Sequence, residues 1–292
     1  ALGYLALSAN TTGGNNTVVG TEAGKANTTA NQNTFIGDKA GTAVTTGGLN
    51  TLVGSEAGRA LTTGEQNVFL GYAVANEGVV TGDANICIGT GAARPLTSGA
   101  SNVIIGKDAG ANVSSAGNNL LLGHDAGIPG SPGGNVTTAG NLVMLADENI
   151  THAYIKVDWT VTSDQRDKTD FTALDLGLDF VKALAPVTYR WDERSNYGDK
   201  YADGYDLNAQ TPDGTHKKDQ LEIGFKAQEV EALEIAAGYN KSSKTNLVSS
   251  QTADGTQMGL QYSKFVPILV KAIQEQNALI EALTARIATL EG

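Results

Sequence analysis

Asn50-Thr51-Leu52-Val53-Gly54 is followed, 17 residues on, by Asn67-Val68-Phe69-Leu70-Gly71. The same pattern, Asn, three mostly apolar residues and Gly, stands at Asn16–Gly20, Asn33–Gly37, Asn85–Gly89, Asn102–Gly106 and Asn119–Gly123. The glycines step by 17, 17, 17, 18, 17 and 17. A phase held that tightly marks a repeat architecture in which each unit is one coil. A three-residue apolar strand cannot bury its own face, but stacked neighbours can bury it, so the pattern predicts a solenoid.

The rest of each unit agrees. Three residues after six of the seven glycines comes Ala, usually in Ala-Gly, as in Ala23-Gly24, Ala40-Gly41, Ala57-Gly58, Ala109-Gly110 and Ala126-Gly127. Gly and Ala let backbones approach closely, and Gly also takes positive φ. Between them lie turn formers such as Thr45-Thr46-Gly47-Gly48. The recurrent Asn is expected to ladder with its equivalent one coil away. Cys87 holds the phase of Phe35, Leu52 and Ile104 and is expected in the core. Gly89-Thr90-Gly91 sits in repeat phase and is read as structural, not as a phosphate loop. Counting back 17 from Gly20 reaches Gly3, and Ala23 maps to Ala6, so the phase is expected to extend to the first residues and upstream.

The phase breaks at Pro129, Pro132 and Gly133-Gly134. Asn141-Leu142-Val143-Met144-Leu145 reads as a late Asn motif without its Gly, and Tyr154–Val161 as an extended strand. The expected division is a shaft over 1–127, a neck over 128–162 and a C-terminal domain over 163–292.

Composition narrows the function. Net charge is −11, which disfavours nucleic acid as the main partner and electrostatic docking on anionic lipid. No run of 18 apolar residues is present, so no membrane insertion is expected. One cysteine permits no intrachain disulfide. His124, His152 and His216 have no metal-ligand spacing, so neither metal nor cofactor is expected. Glu22, Asp38, Glu56 and Asp108 recur after the repeat Gly and read as a solvated face rather than a glycosidase pair.

Ser163-Asp164-Gln165-Arg166-Asp167-Lys168 follows the neck. A serine hydroxyl needs a nearby base to become a nucleophile, and no His lies here. A neutral lysine can serve, provided burial or neighbouring cations favour its uncharged form. A spacing of five is not a same-face helical spacing, so the segment should be a turn or strand end. Arg166 is open to two roles, a cationic field or a carboxylate clamp, and Asp164 to that of orienting the pair. Near the C-terminus, Leu269, Ile273, Gln276, Ile280, Leu283, Ile287 and Leu290 step by 4, 3, 4, 3, 4 and 3, a heptad seam on a helix over about 263–291. Ile at a and Leu at d lean toward two strands. The alternative is a helix packed back on its own domain.

Two resemblances join these readings. Residues 1 to about 127 resemble the head repeats of trimeric autotransporter adhesins and similar repeats in phage fibres, which implies three β-rolls side by side. The segment from Ser163 resembles the intramolecular chaperone of phage tailspikes and fibres known from endosialidases. Leu184-Ala185-Pro186-Val187-Thr188-Tyr189 and Ile223-Gly224-Phe225-Lys226-Ala227-Gln228-Glu229-Val230 match its motifs, and Tyr262-Ser263-Lys264 leads into the terminal helix as in that family. Glu234-Ile235-Ala236 departs from it where a Pro is expected, which should affect a loop and not the chemistry.

This second resemblance implies a homotrimer and self-cleavage of the Thr162–Ser163 bond, with Ser163 as nucleophile and Lys168 as general base. The expected whole is a mainly β solenoid or β-roll of 17-residue repeats, then an α+β chaperone domain ending in a coiled-coil helix. Its expected place is the virion tail, with other tail proteins and a host-surface receptor, polysaccharide or protein, as partners. The alternatives are a bacterial trimeric surface adhesin and a polysaccharide-degrading tailspike with a non-cleaving chaperone.

Overall fold

A computed structural model describes residues 1–202 and 204–291. Its contacts divide it into two compact units. The first is Ala1–Thr151 with Glu193–His216 and Ala253–Thr256, and the second is His152–Asp192, Lys217–Thr252 and Gln257–Gly292.

The first unit is the expected β-solenoid. Eight three-residue strands form it: β1 (Thr17–Val19), β2 (Thr34–Ile36), β3 (Thr51–Val53), β4 (Val68–Leu70), β5 (Ile86–Ile88), β6 (Val103–Ile105), β7 (Leu120–Leu122) and β8 (Val143–Leu145). They lie in one parallel sheet in sequence order, each residue beside its repeat equivalent, as in Phe35↔Leu52 and Leu52↔Phe69. Strand side chains alternate faces. The middle residue of each triplet therefore points inward, and Val18, Phe35, Leu52, Phe69, Cys87, Ile104, Leu121 and Met144 form the spine of one core. Cys87 is wholly buried there, and burial pushes its thiol pKa far up. The flanking residues point outward and are largely apolar, with Val19, Ile36, Leu70, Ile105 and Leu145 all exposed.

Glycine is required where coils touch. At Gly54 φ is +130°, and a Cβ would lie 2.2 Å from the carbonyl oxygen of Gly71. Gly41, with φ +59°, would drive a Cβ to 2.9 Å from Leu52 Cδ1.

The asparagine ladder also forms. The main-chain N–H groups of Asn33, Asn50, Asn67, Asn85, Asn102 and Asn119 each donate to the Oδ1 of the Asn one coil earlier, at 2.9–3.1 Å. Each side-chain amide donates onward to a turn carbonyl, as Asn50 Nδ2 does to Gly64 at 2.9 Å. From Asn33 to Asn119 these side chains are buried, so the ladder satisfies polar groups that would otherwise be costly.

Two expectations are corrected. The late motif is shifted by one: Leu120 pairs with Val143, so Leu142, not Asn141, holds the ladder position. Leu142 N–H donates to Asn119 Oδ1 at 3.0 Å, and the ladder ends there. Asn141 instead takes a left-handed turn position at φ +64°. The solenoid thus runs on past Pro129 and Pro132 to β8. The stretch 154–161 forms no strand. Tyr154, Val157, Trp159 and Val161 are each more than 70% exposed. A strand needs a ladder partner for its N–H and C=O groups, and the single chain offers none here.

After a 3-10 turn over Gln165–Asp167, the second unit carries α1 (Leu178–Ala183) and an antiparallel pair, β9 (Val187–Tyr189) with β10 (Glu222–Gly224). Then come α2 (Ala227–Ala236), the hairpin β11 (Ser249–Gln251) with β12 (Met258–Leu260), and the long α3 (Phe265–Glu291). Leu176, Phe180, Val230, Val248, Phe265 and Ile268 make its core. Glu234 does more than alter a loop. It is wholly buried on α2, and its carboxylate accepts from the N–H groups of Leu247, Val248 and Ser249 at 2.7, 2.6 and 3.1 Å and from the Ser249 hydroxyl.

The terminal helix has two apolar faces. Phe265, Ile268 and Ala272 are buried against its own unit. The heptad residues Leu269, Ile273, Ile280, Leu283, Ile287 and Leu290 are all exposed. The helix therefore packs back on its own unit through one face and leaves the heptad face exposed.

Candidate functional site

The Ser163 segment is built around one short turn. Asp164 caps a 3-10 turn over Gln165–Asp167, its carboxylate accepting the Arg166 N–H at 2.9 Å. Asp and Asn favour such positions because a short side-chain acceptor reaches a free N–H two residues on. Lys168 closes the turn through its own N–H to the Gln165 carbonyl at 3.2 Å. The turn folds the chain back by the distance the side chains need. Lys168 Nζ donates to Ser163 Oγ at 2.5 Å. The segment is thus a turn, in line with its non-helical spacing.

Arg166 serves the carboxylate. Its Nη2 lies 2.6 Å from Asp164 Oδ2 and its Nε 3.1 Å from Oδ1. The pairing holds the Asp164 carboxyl below the usual carboxylate range, with the Arg166 side chain as the main cause and its N–H second. Both Asp164 oxygens accept from Arg166, so the carboxylate shapes the turn that carries Ser163 and Lys168.

Thr162, Ser163 and Lys168 are all exposed in the single chain. A lysine abstracts a proton only as the free amine, which burial favours. The structure thus brings the Lys168 amine and the Ser163 hydroxyl within hydrogen-bond reach, while the cover a lysine base would need is not supplied by these residues. Sequence reasoning missed that exposure, because no pattern within six residues reports what lies over them.

No curated protein and no solved structure matches this chain. Residues 163–239, a stretch that opens on Ser163 itself, takes in Lys168 and runs through α2, match the family model of the chaperone of endosialidase.

Proposed function

We propose that this chain is the distal part of a phage tail fibre, in which the segment from Ser163 onward trimerises three copies, lets their solenoids form, and then cuts itself away. The observation that carries the reading is the 2.5 Å contact of Lys168 Nζ with Ser163 Oγ at the first residue of the chaperone-like segment.

The cut is an intramolecular acyl shift. Lys168, as the free amine, takes the Oγ proton of Ser163. Oγ attacks the carbonyl carbon of Thr162, the C–N bond breaks, and the Ser163 nitrogen takes up a proton. Thr162 is then held as an ester on Ser163. Water hydrolyses the ester, leaving a Thr162 carboxylate and a free Ser163 amine. Each step needs only a positioned base and water.

Trimerisation supplies the cover. The exposed seam of α3 is a stripe of Leu and Ile broken once by Gln276. Leaving such residues in water costs about 1.5–3 kcal/mol each, which side-by-side copies recover. The outward apolar residues of β1–β8 offer a second contact surface of the same kind. In this reading the Ser163–Lys168 pair is exposed in the monomer and becomes a free-amine site only once neighbouring copies exclude water. Assembly therefore precedes the cut.

The test is light scattering of the parent and of an Ile280→Asn/Leu283→Asn chain, with fragments assayed in each peak. The parent should run at three chain masses and contain the fragments. The seam variant should run as an uncut monomer. A monomeric variant that cuts itself at the parent rate overturns the coupling.

A further inference from the structure

Within the first unit, folding gathers residues that are scattered in sequence. Lys200 is nearly buried, its Nζ 2.6 Å from Glu148 Oε1 and 3.1 Å from Asp125 Oδ2. His124 Nδ1 lies 3.4 Å from that same Asp125 oxygen and 3.4 Å from Asp147 Oδ2. Asp108, His124 and Asp125 each present a ligand atom, all within 4.8 Å of one another. Asp108 is already held by Arg94 and Lys107, at 3.1 and 2.9 Å. Asp125 is wholly buried, and its Oδ1 has no hydrogen-bond partner among the described residues. The Tyr201 hydroxyl donates to its other oxygen.

A buried carboxylate with an idle oxygen is costly and calls for a ligand. Lysine is a compact point cation, and here its ammonium sits where carboxylates converge, the position a metal ion would take. One ammonium cannot balance Asp125, Asp147 and Glu148 together.

We propose that Asp125, Asp147, Glu148 and His124 form a divalent-cation site, with the Lys200 ammonium as the stand-in cation of the intact chain. Carboxylate oxygens with one imidazole nitrogen suit Mn2+ or Zn2+ better than Ca2+ or Mg2+. The site's use rests on the proposed cleavage. A cut at Thr162–Ser163 leaves the four ligands on the solenoid piece and Lys200 on the other. When that piece departs, an ion takes the ammonium's place and holds the last coil closed.

The test uses full-length chains carrying Ser163→Ala, so that its outcome does not depend on self-cleavage. These are titrated calorimetrically with MnCl2, ZnCl2 and CaCl2, with and without Lys200→Ala. Lys200→Met, which keeps the bulk of the stem, is run alongside. Removing the ammonium should create one Mn2+ or Zn2+ site per chain, at least tenfold tighter than before. Adding Asp125→Asn should abolish the gain. Folded Lys200 variants that bind neither ion, that bind only Ca2+, or whose binding survives Asp125→Asn overturn the assignment.

Discussion

Asn85 donates both its main-chain N–H and its side-chain amide to Asn67 Oδ1, at 2.9 and 3.0 Å. Its own Oδ1 receives the same two donors from Asn102, at 3.1 and 2.9 Å. Replacing Asn85 by Leu, the residue that ends the ladder at position 142, strands buried donors on Asn102 and the Gly99 carbonyl. Each buried group so stranded costs about 1–3 kcal/mol, so a loss of about 3 kcal/mol or more is expected. Asn16, half-buried at the start of the ladder, should cost about 1 kcal/mol on the same change. Denaturant unfolding of the two variants checks the ratio.

Glycines of the same composition class should differ sharply. Gly54→Ala forces a Cβ to 2.2 Å from a main-chain oxygen at a φ of +130°, with nothing flexible to yield. A loss above about 4 kcal/mol, or failure to fold, is expected. Gly14→Ala meets nothing closer than Asn31 Oδ1 at 3.6 Å and should change stability by less than about 0.5 kcal/mol. Circular dichroism melts separate the two.

Glu234→Ala removes the acceptor for three main-chain N–H groups and one hydroxyl around residues 247–249. With buried donors left unpaired, a loss of about 3 kcal/mol or more is expected in the second unit. Glu234→Gln keeps one carbonyl oxygen but brings an amide among donors, and should fall between parent and Ala. Hydrogen exchange at Val248 reads the effect directly.

Glu275 on α3 accepts the Leu178 N–H at 2.7 Å, at the start of α1, and pairs with Lys271. The Leu178 N–H is the main cause that holds its carboxyl below the ordinary value, with Lys271 adding to it against partial desolvation. A folded-state pKa lowered in this way stabilises fully above the unfolded value, about 4.3, and less as pH falls through the folded value. The parent should melt above Glu275→Gln at pH 7, and the two should converge as pH falls below about 4. Equal melting temperatures at pH 7 would count against the anchor.

How far the sequence reaches depends on how local the cause is. The coils were legible because a coil with one strand must repeat its Asn, its inward residue and its Gly in phase. The end of the solenoid was not, because the last ladder step spans 23 residues and nothing in Asn141-Leu142 says which one faces Asn119. The heptad seam was visible by period. Its buried neighbours Phe265, Ile268 and Ala272 follow helical spacing too, but the core they meet is assembled from distant segments. For the site, the pairing of Ser163 with Lys168 was suggested by the motif, and a turn between them by the non-helical spacing of five. Their exposure was not, and neither were the partners of Glu234, which lie 13–15 residues onward. The three histidines showed no metal-ligand spacing, yet folding brings Asp147, 23 residues on, beside His124 and its neighbour Asp125.

The proposed cut at Thr162–Ser163 needs Ser163 as nucleophile and Lys168 as its base. Intact-mass measurement of freshly purified parent, Ser163→Ala and Lys168→Met chains tests it most directly. Two fragments meeting between Thr162 and Ser163 are expected in the parent alone, with both variants whole and still trimeric. A parent that stays whole as a trimer, or a Lys168→Met chain that cuts at the parent's rate, would contradict it.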